Sequence, residues 1–446
     1  MPRVASIILL LALALAALPV AAQEQTNPAP QAAQPGAINP DFMGMVIRDP
    51  WYDFNTNPDF PGEPNKVFQE TMGANLERIG VRWVRLDFHI QLPYSSSDDQ
   101  VNAEIAKNDF FINEVAPRHG LKVLALLSFA LVQDVDPRRL GDAGTTDARF
   151  GGGVNDYMRA WLNRALLISR RYRGNIAGYE VLNEENRLSQ FAGKGPAGDG
   201  IDPKLTGRLL TKFYRFCKNI NPITEHNGCG SDTKIILGGI QPRGTGTGAG
   251  PAPNYSDVTY LKAIYQDQTS FGDFKALYGF YPVDGIGYHP YPEEIRLSPS
   301  NIYVNRGIDR MRLAIDLFDP GKPFWLTEVG YNVGFDPDGP KNPLPAQTEA
   351  GQADFMRDVY TSMASRADVA SVLWFKYEDF PPASGPSAQQ WGVVRIPFIS
   401  GNCPGGACYD PSGVPKVFRA SYFTYANLSG KAVILGNPRY LPMIAK

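Results

Sequence analysis

Hydrophobic segments of two kinds alternate eight times along this chain, and that alternation limits the fold more than any other feature. Short, nearly continuous apolar runs read as strands buried on both faces, and the amphipathic segments between them read as helices covering a parallel sheet. The strand-like runs are Phe42–Ile47, Val81–Phe88, Lys122–Phe129, Ile176–Asn183, Lys234–Ile240, Val283–Tyr288, Phe324–Glu328 and Val369–Phe375. Helical spacing follows at Lys66–Ile79, Val101–Val115, Val154–Tyr172, Leu205–Ile220, Val258–Asp267, Ile308–Leu317, Thr348–Ala364 and Val417–Asn427. Eight such pairs predict an α/β fold, a (β/α)8 TIM barrel in one domain over residues 40–446. An open doubly wound sheet is the alternative, and it would carry a Gly-rich phosphate turn after an early strand. Gly151-Gly152-Gly153 and Gly244-Thr245-Gly246-Thr247-Gly248 precede no P-loop lysine and follow no suitable strand, so they read as loops. Gly and Pro also concentrate after the fourth, fifth and eighth strands, around 189–203, 241–256 and 379–415. Such loops would frame the carboxyl-end face of a barrel, where these folds build their sites.

The first residues set the compartment. Arg3 precedes an apolar stretch from Val4 to Val20 that holds one polar residue, Ser6, and small residues Ala21-Ala22 stand before Gln23. A charged start, an apolar middle and a small-residue end predict a secretory signal over residues 1–22, after which the chain is secreted or periplasmic. The run is marginal for a membrane anchor, which needs about 20 apolar residues, and no basic stop-transfer cluster follows it. Residues 23–39 are rich in Pro, Ala and Gln without periodicity and read as a disordered linker.

Charge and cysteine usage narrow the partners. A formal net charge of −2 leaves no basic footprint for nucleic acid and no polybasic patch for lipid. Four cysteines in an exported chain can pair in three ways, and two local bridges, Cys217–Cys229 and Cys403–Cys408, are the simplest. The four histidines, His89, His119, His226 and His289, are scattered, which argues against a zinc site and against a metal-dependent barrel hydrolase.

Two strand ends carry the chemistry. Tyr179-Glu180-Val181-Leu182-Asn183-Glu184 and Phe324-Trp325-Leu326-Thr327-Glu328 are apolar runs that stop on a carboxylate. Strands four and seven lie across the mouth of an eight-stranded barrel, so the two acids can face each other there. Paired acids in that position suit cleavage of a glycosidic bond; the plain alternative is that each glutamate pairs with a basic residue at its own strand end.

Asn183-Glu184 ending strand four, His289-Pro290-Tyr291 ending strand six and Thr327-Glu328 ending strand seven together resemble the clan-A retaining glycoside hydrolases. That group includes the cellulase-like family 5 and the xylosidase-like family 39. The resemblance runs over about residues 40–430 and implies a carbohydrate substrate, a double-displacement mechanism on β-linked bonds and no cofactor. It implies that Glu184 is the general acid/base and Glu328 the nucleophile. In the same resemblance, Asn183 donates to the sugar 2-hydroxyl and Arg85 on strand two holds the nucleophile ionised. Tyr291 hydrogen-bonds the nucleophile, His289 sits beside the sugar and Trp374 on strand eight forms an apolar floor beneath it. Arg82 has opposite strand parity to Arg85, so one of the two points inward, and Arg85 is nearer the carboxyl end. Core packing remains the alternative for Trp374; Trp51, Tyr52 and Trp391, in loops after strands one and eight, could extend a sugar-binding cleft but read first as single exposed aromatics. Glu185 stands where many relatives have proline and is a competing acid, while Leu127-Ser128-Phe129-Ala130 lacks the histidine common in family 5. A catalytically silent carbohydrate-binding barrel and a transglycosylase using the same residues are the rival functions.

Overall fold

In a computed structural model of the chain, the structure describes residues 36–47, 65–90, 92–132, 149–186, 201–220, 228–242, 256–291, 301–333, 348–380, 390–400 and 407–433. The leader, residues 23–35 of the linker, Trp51, Tyr52, His226 and Gly244–Gly248 lie outside them, as do most residues of the loops expected to frame the carboxyl-end face.

The eight strands are β1 (Met43–Val46), β2 (Trp83–Asp87), β3 (Lys122–Leu127), β4 (Ile176–Asn183), β5 (Lys234–Ile240), β6 (Gly285–Tyr288), β7 (Phe324–Gly330) and β8 (Val369–Phe375). Each pairs in parallel with the next in chain order, and β8 returns to β1 through Met43 opposite Val372 and Met45 opposite Trp374. The sheet is therefore the closed barrel expected from the alternation, with every strand edge paired. Helices follow the strands, several of them started by side chains whose spacing is visible in the sequence. Asn65, Asn155, Ser256 and Thr348 each accept from a backbone N–H in the first turn of their helices, and Ser97 and Gln100 form a reciprocal cap. Such caps stabilise a helix start by about 1 kcal/mol each.

The helix expected over Val101–Val115 is divided. Asp98–Ala106 is α-helical, and the chain then widens into a π turn at Phe111–Val115 before a short turn at Ala116–Arg118. Pro117 lies at the junction, where its ring and missing N–H oppose a regular ladder. An eight-residue helix at Phe271–Tyr278 was not expected; it ends on Gly279 in the left-handed region, a terminator present in the sequence. Beyond β8, Val394–Arg395 pairs with Val417–Phe418 and Phe398–Ser400 with Ala407–Tyr409, both antiparallel. These small pairings replace part of a segment read as loop and the start of the helix expected over Val417–Asn427, which begins at Ala420.

Two apolar cores flank the barrel wall. Outside it, strand and helix residues form one large cluster that includes Trp161, Tyr179, Phe213, Phe355 and Trp374. Inside, Val46, Trp83, Leu124, Ile236, Trp325 and Leu373 plug the barrel, with the Trp83 and Trp325 rings edge to face at 5.2 Å. A side chain at Gly285 would collide with the Trp325 indole, so the absence of one on β6 makes room for the plug. Cys217 and Cys229 form the expected disulfide. Cys408 is also disulfide-bonded, and Cys403 lies outside the described residues.

Candidate active site

Above the apolar plug, toward the carboxyl ends of the strands, the barrel interior turns polar. Two residues beyond Trp83, Arg85 points inward and is buried. Its Nε donates to Glu180 Oε2 at 2.5 Å, its Nη1 to Glu328 Oε1 at 2.6 Å and its Nη2 to Asn183 Oδ1 at 2.7 Å. Burial opposes its charge, but Glu180 and Glu328 outweigh that and raise its pKa further. Arg82, of opposite parity, is half-buried on the outside of the wall and donates to the Gly120 carbonyl at 2.8 Å.

Strict strand alternation would not let one guanidinium reach both Glu180 and Asn183. Leu182 breaks the alternation: its φ of 69° lies in the left-handed region, as does the 49° of Glu184. Pairing to β5 stays in step across it, from Val181 opposite Leu237 to Asn183 opposite Gly239. A leucine held in that region costs on the order of 1–2 kcal/mol. The result is that Glu180, Asn183 and Glu184 all serve the mouth of the barrel.

Glu184 Oε1 lies 3.0 Å from His289 Nδ1, and His289 Nε2 lies 3.0 Å from Thr327 Oγ1. A side chain at Gly239 would collide with the imidazole, so this glycine makes space for the ring. An oxygen of Glu184, an oxygen of Glu328 and a ring nitrogen of His289 all lie within 4.8 Å of one another. Tyr291 hydroxyl is 3.5 Å from Glu328 Oε2, the outer limit of a hydrogen bond.

The charges of these groups are interlocked. Burial opposes a charged His289, yet Glu328 and Glu184 raise its pKa above the ordinary histidine range. Burial would raise Glu184, but the His289 hydrogen bond and charge, with Gln241 and Arg85, hold it below the ordinary carboxylate range. Burial pushes Glu328 up, assisted by the like charges of Glu184 and Glu180 and resisted by His289 and Arg85. A permanent guanidinium 2.6 Å from Glu328 is still the closest charge to it, and it favours the ionised carboxylate. These directions put the proton of the Glu184–His289 contact on the ring side, with Nδ1 3.0 Å from Glu184 Oε1.

Glu185 is the competing acid, and its side chain goes elsewhere. It is wholly buried, and no other described residue hydrogen-bonds either of its carboxyl oxygens. Burial pushes its pKa up to about 8 against the pull of its own backbone N–H, with smaller like-charge contributions from Glu180 and Glu184.

Trp374 needs correction. The indole is fully buried and packs 6.1 Å from Phe355 of the helix Glu349–Ala364, so it faces the outer layer and forms no floor for a sugar. Strand parity explains the error: Leu373 and Phe375 take the inner side of β8. Phe375 lies edge-on to Trp391 at 5.6 Å, and Trp391 lies edge-on to Tyr291 at 5.8 Å. These half-buried rings are the aromatic wall beside Glu328. The motifs assign no role to Glu180 or Phe375, and Thr327 enters them only as the residue before Glu328; a carboxylate in the middle of an apolar strand is the signal that points to Glu180.

A cation could in principle be held by Glu184, His289 and Glu328, the set among the described residues with suitable spacing. The Arg85 charge on Glu328 and the raised pKa of His289 both work against it, since a metal needs free carboxylate and a bare ring nitrogen.

Several solved structures share this architecture. An endo-laminarinase from Formosa Hel1_33_131 superposes with a TM-score of 0.50 at 14% identity, over 81% of this chain and 85% of that one. A GH5_18 protein from Bifidobacterium longum subsp. longum, solved in complex with Manb1-4GlcNAc, gives 0.50 at 17% identity over 87% and 77%. The AHE enzyme from Alicyclobacillus herbarius gives 0.51 at 12% identity over 90% and 99%. The fold is the (β/α)8 barrel of solved glycoside hydrolases. At these identities the likeness concerns the backbone architecture. No family model and no curated protein matches the sequence.

Proposed function

We propose that the protein is a secreted glycoside hydrolase that cleaves β-linked bonds of oligo- or polysaccharides with retention of configuration. The observation that carries this reading is the meeting of Glu184 and Glu328 at the ends of β4 and β7, with carboxyl oxygens within 4.8 Å of each other. Retaining enzymes place their carboxyl groups about 5–5.5 Å apart, whereas inverting enzymes leave about 6.5–9.5 Å for a water. Glu328, in contact with Arg85, attacks the anomeric carbon. Glu184 passes the proton it shares with His289 to the departing oxygen, then takes a proton from the water that releases the sugar from Glu328. Asn183 accepts from Arg85 through Oδ1, which leaves its Nδ2 as a donor for the sugar 2-hydroxyl. Tyr291, Phe375 and Trp391 offer apolar faces against which a pyranose can lie.

The test follows product anomers by NMR on aryl β-glycosides and on glucan, mannan, xylan and galactan. The laminarinase and the protein bound to Manb1-4GlcNAc put glucan and mannosyl substrates first in that screen. First release of the substrate's own anomer is expected, and Glu328→Gln should lower kcat by about 10⁴-fold or more. Early appearance of the opposite anomer would make Glu328 a base acting on water. Saccharide binding with no Glu328-dependent release would favour a silent binding barrel, and sugar transfer to added acceptor in place of water would favour a transglycosylase.

A further inference from the structure

We infer that Thr327 and Glu180 are positioning residues that fix the tautomer of His289 and thereby keep a transferable proton on the Glu184 side of the site. The inference rests on the glycosidase reading for its kinetic consequence but not for its structural content.

The argument begins at the buried end of the chain of contacts. Glu180 is wholly buried in the middle of β4 and is met by donors: Arg85 Nε on Oε2, and the Gly239 amide at 2.9 Å and Thr327 hydroxyl at 2.8 Å on Oε1. A carboxylate so surrounded acts as acceptor to all three. The single hydroxyl hydrogen of Thr327 is therefore spent on Glu180, and its Oγ1 faces His289 Nε2 at 3.0 Å with only lone pairs to offer. Nε2 must carry a hydrogen to make that bond.

With Nε2 protonated, a neutral imidazole presents a bare Nδ1 to Glu184 Oε1, 3.0 Å away. A bare nitrogen can only accept, so the carboxyl group keeps its acid hydrogen. If the ring is instead cationic, the same hydrogen sits on Nδ1, still between the two atoms and still available to a leaving oxygen. The other neutral tautomer, with hydrogen on Nδ1 and none on Nε2, would satisfy an ionised Glu184 and leave it no acid proton. Glu180 and Thr327 exclude that tautomer. The remaining groups around the ring do not provide a substitute: Glu328 on β7 is 3.7 Å from Nδ1, Arg85 on β2 is cationic, Tyr291 meets the ring edge-on with centroids 6.4 Å apart, and Gly239 on β5 has no side chain.

Thr327→Val removes the hydroxyl while keeping the shape of the side chain, and Thr327→Ser restores it. A leaving group that departs without protonation does not need the acid, so the defect should depend on the substrate. For alkyl β-glycosides, Thr327→Val should lower kcat/KM by about 10–100-fold, a part of what general acid catalysis contributes. For 2,4-dinitrophenyl β-glycosides the loss should stay below about 3-fold, and Thr327→Ser should recover both. Nitrogen-15 ring NMR of the histidines supplies an activity-independent readout: the neutral His289 ring should carry its hydrogen on Nε2 in the unaltered protein and shift toward Nδ1 in Thr327→Val. Equal loss on both substrates would mean that Thr327 only packs, and an Nδ1-protonated ring in the unaltered protein would overturn the inference outright. Absence of any glycoside cleavage by the unaltered protein would remove the glycosidase reading, while the ring spectra would still decide the tautomer.

Discussion

The inside of this barrel has two storeys built on the same strands, and they solve opposite problems. In the lower one, Trp83, Leu124, Ile236, Trp325 and Leu373 exclude water and need nothing from one another but shape. In the upper one, Arg85, Glu180, Thr327 and His289 are also almost fully buried, yet each depends on a specific partner for its charge or hydrogen. A step of two residues along β2 exchanges Trp83 for Arg85, and the same step on β7 exchanges Trp325 for Thr327. The lower storey therefore sets where the strands stand, and the upper one uses that rigidity to hold groups that would otherwise repel or hydrate.

The largest effect should come from breaking the upper storey. Arg85→Met leaves Glu180 buried without its cation and frees Glu328, which should cost about 3–5 kcal/mol in denaturant unfolding and lower kcat at least 100-fold in the folded protein. Trp325→Ala attacks the lower storey instead. It should cost a similar 3–5 kcal/mol through the cavity it leaves, while kcat measured on the folded fraction stays within a few-fold of the starting value. If Trp325→Ala depressed turnover as deeply as Arg85→Met, the two storeys would not be separable.

Glu185 sharpens the comparison from a third direction, because it is buried like its neighbours but no other described residue hydrogen-bonds its carboxyl group. Its pKa in the folded state is about 8, above the ordinary value of 4.5. The unfolded chain thus releases this proton first, so the stability present below pH 4.5 is lost as pH rises toward 8. Glu185→Gln should leave stability unchanged near pH 4 and raise it by about 3 kcal/mol at pH 7. Thermal unfolding across that range checks the sign; a variant equally shifted at both pH values would mean that the carboxyl group is solvated.

Much of the fold was legible because buried parallel strands and their covering helices write long, redundant patterns. The bounds of β4, β5 and β8 coincide with the apolar runs, whereas β6 is shorter than Val283–Tyr288 and the helix after β2 is interrupted at Pro117. The site was legible where a motif sits on a strand end: Arg85, Asn183, Glu184, His289, Tyr291 and Glu328 gather at one mouth. Trp374 was misread because its neighbour Phe375, of the other parity, is aromatic too, and a local motif does not say which face of the wall a ring takes.

The sequence by itself determined that eight strands would be buried on both faces and that two of them would end on acids, because period and hydrophobicity are local properties. Tertiary structure alone decided that Glu180 would sit between Arg85, Gly239 and Thr327, and that His289 would receive its hydrogen-bond partners from β4 and β7. Those contacts join residues far apart in the chain, and they depend on strand parity, on the left-handed turn at Leu182 and on closure of the ring. None of these is written in the neighbourhood of the residues they bring together.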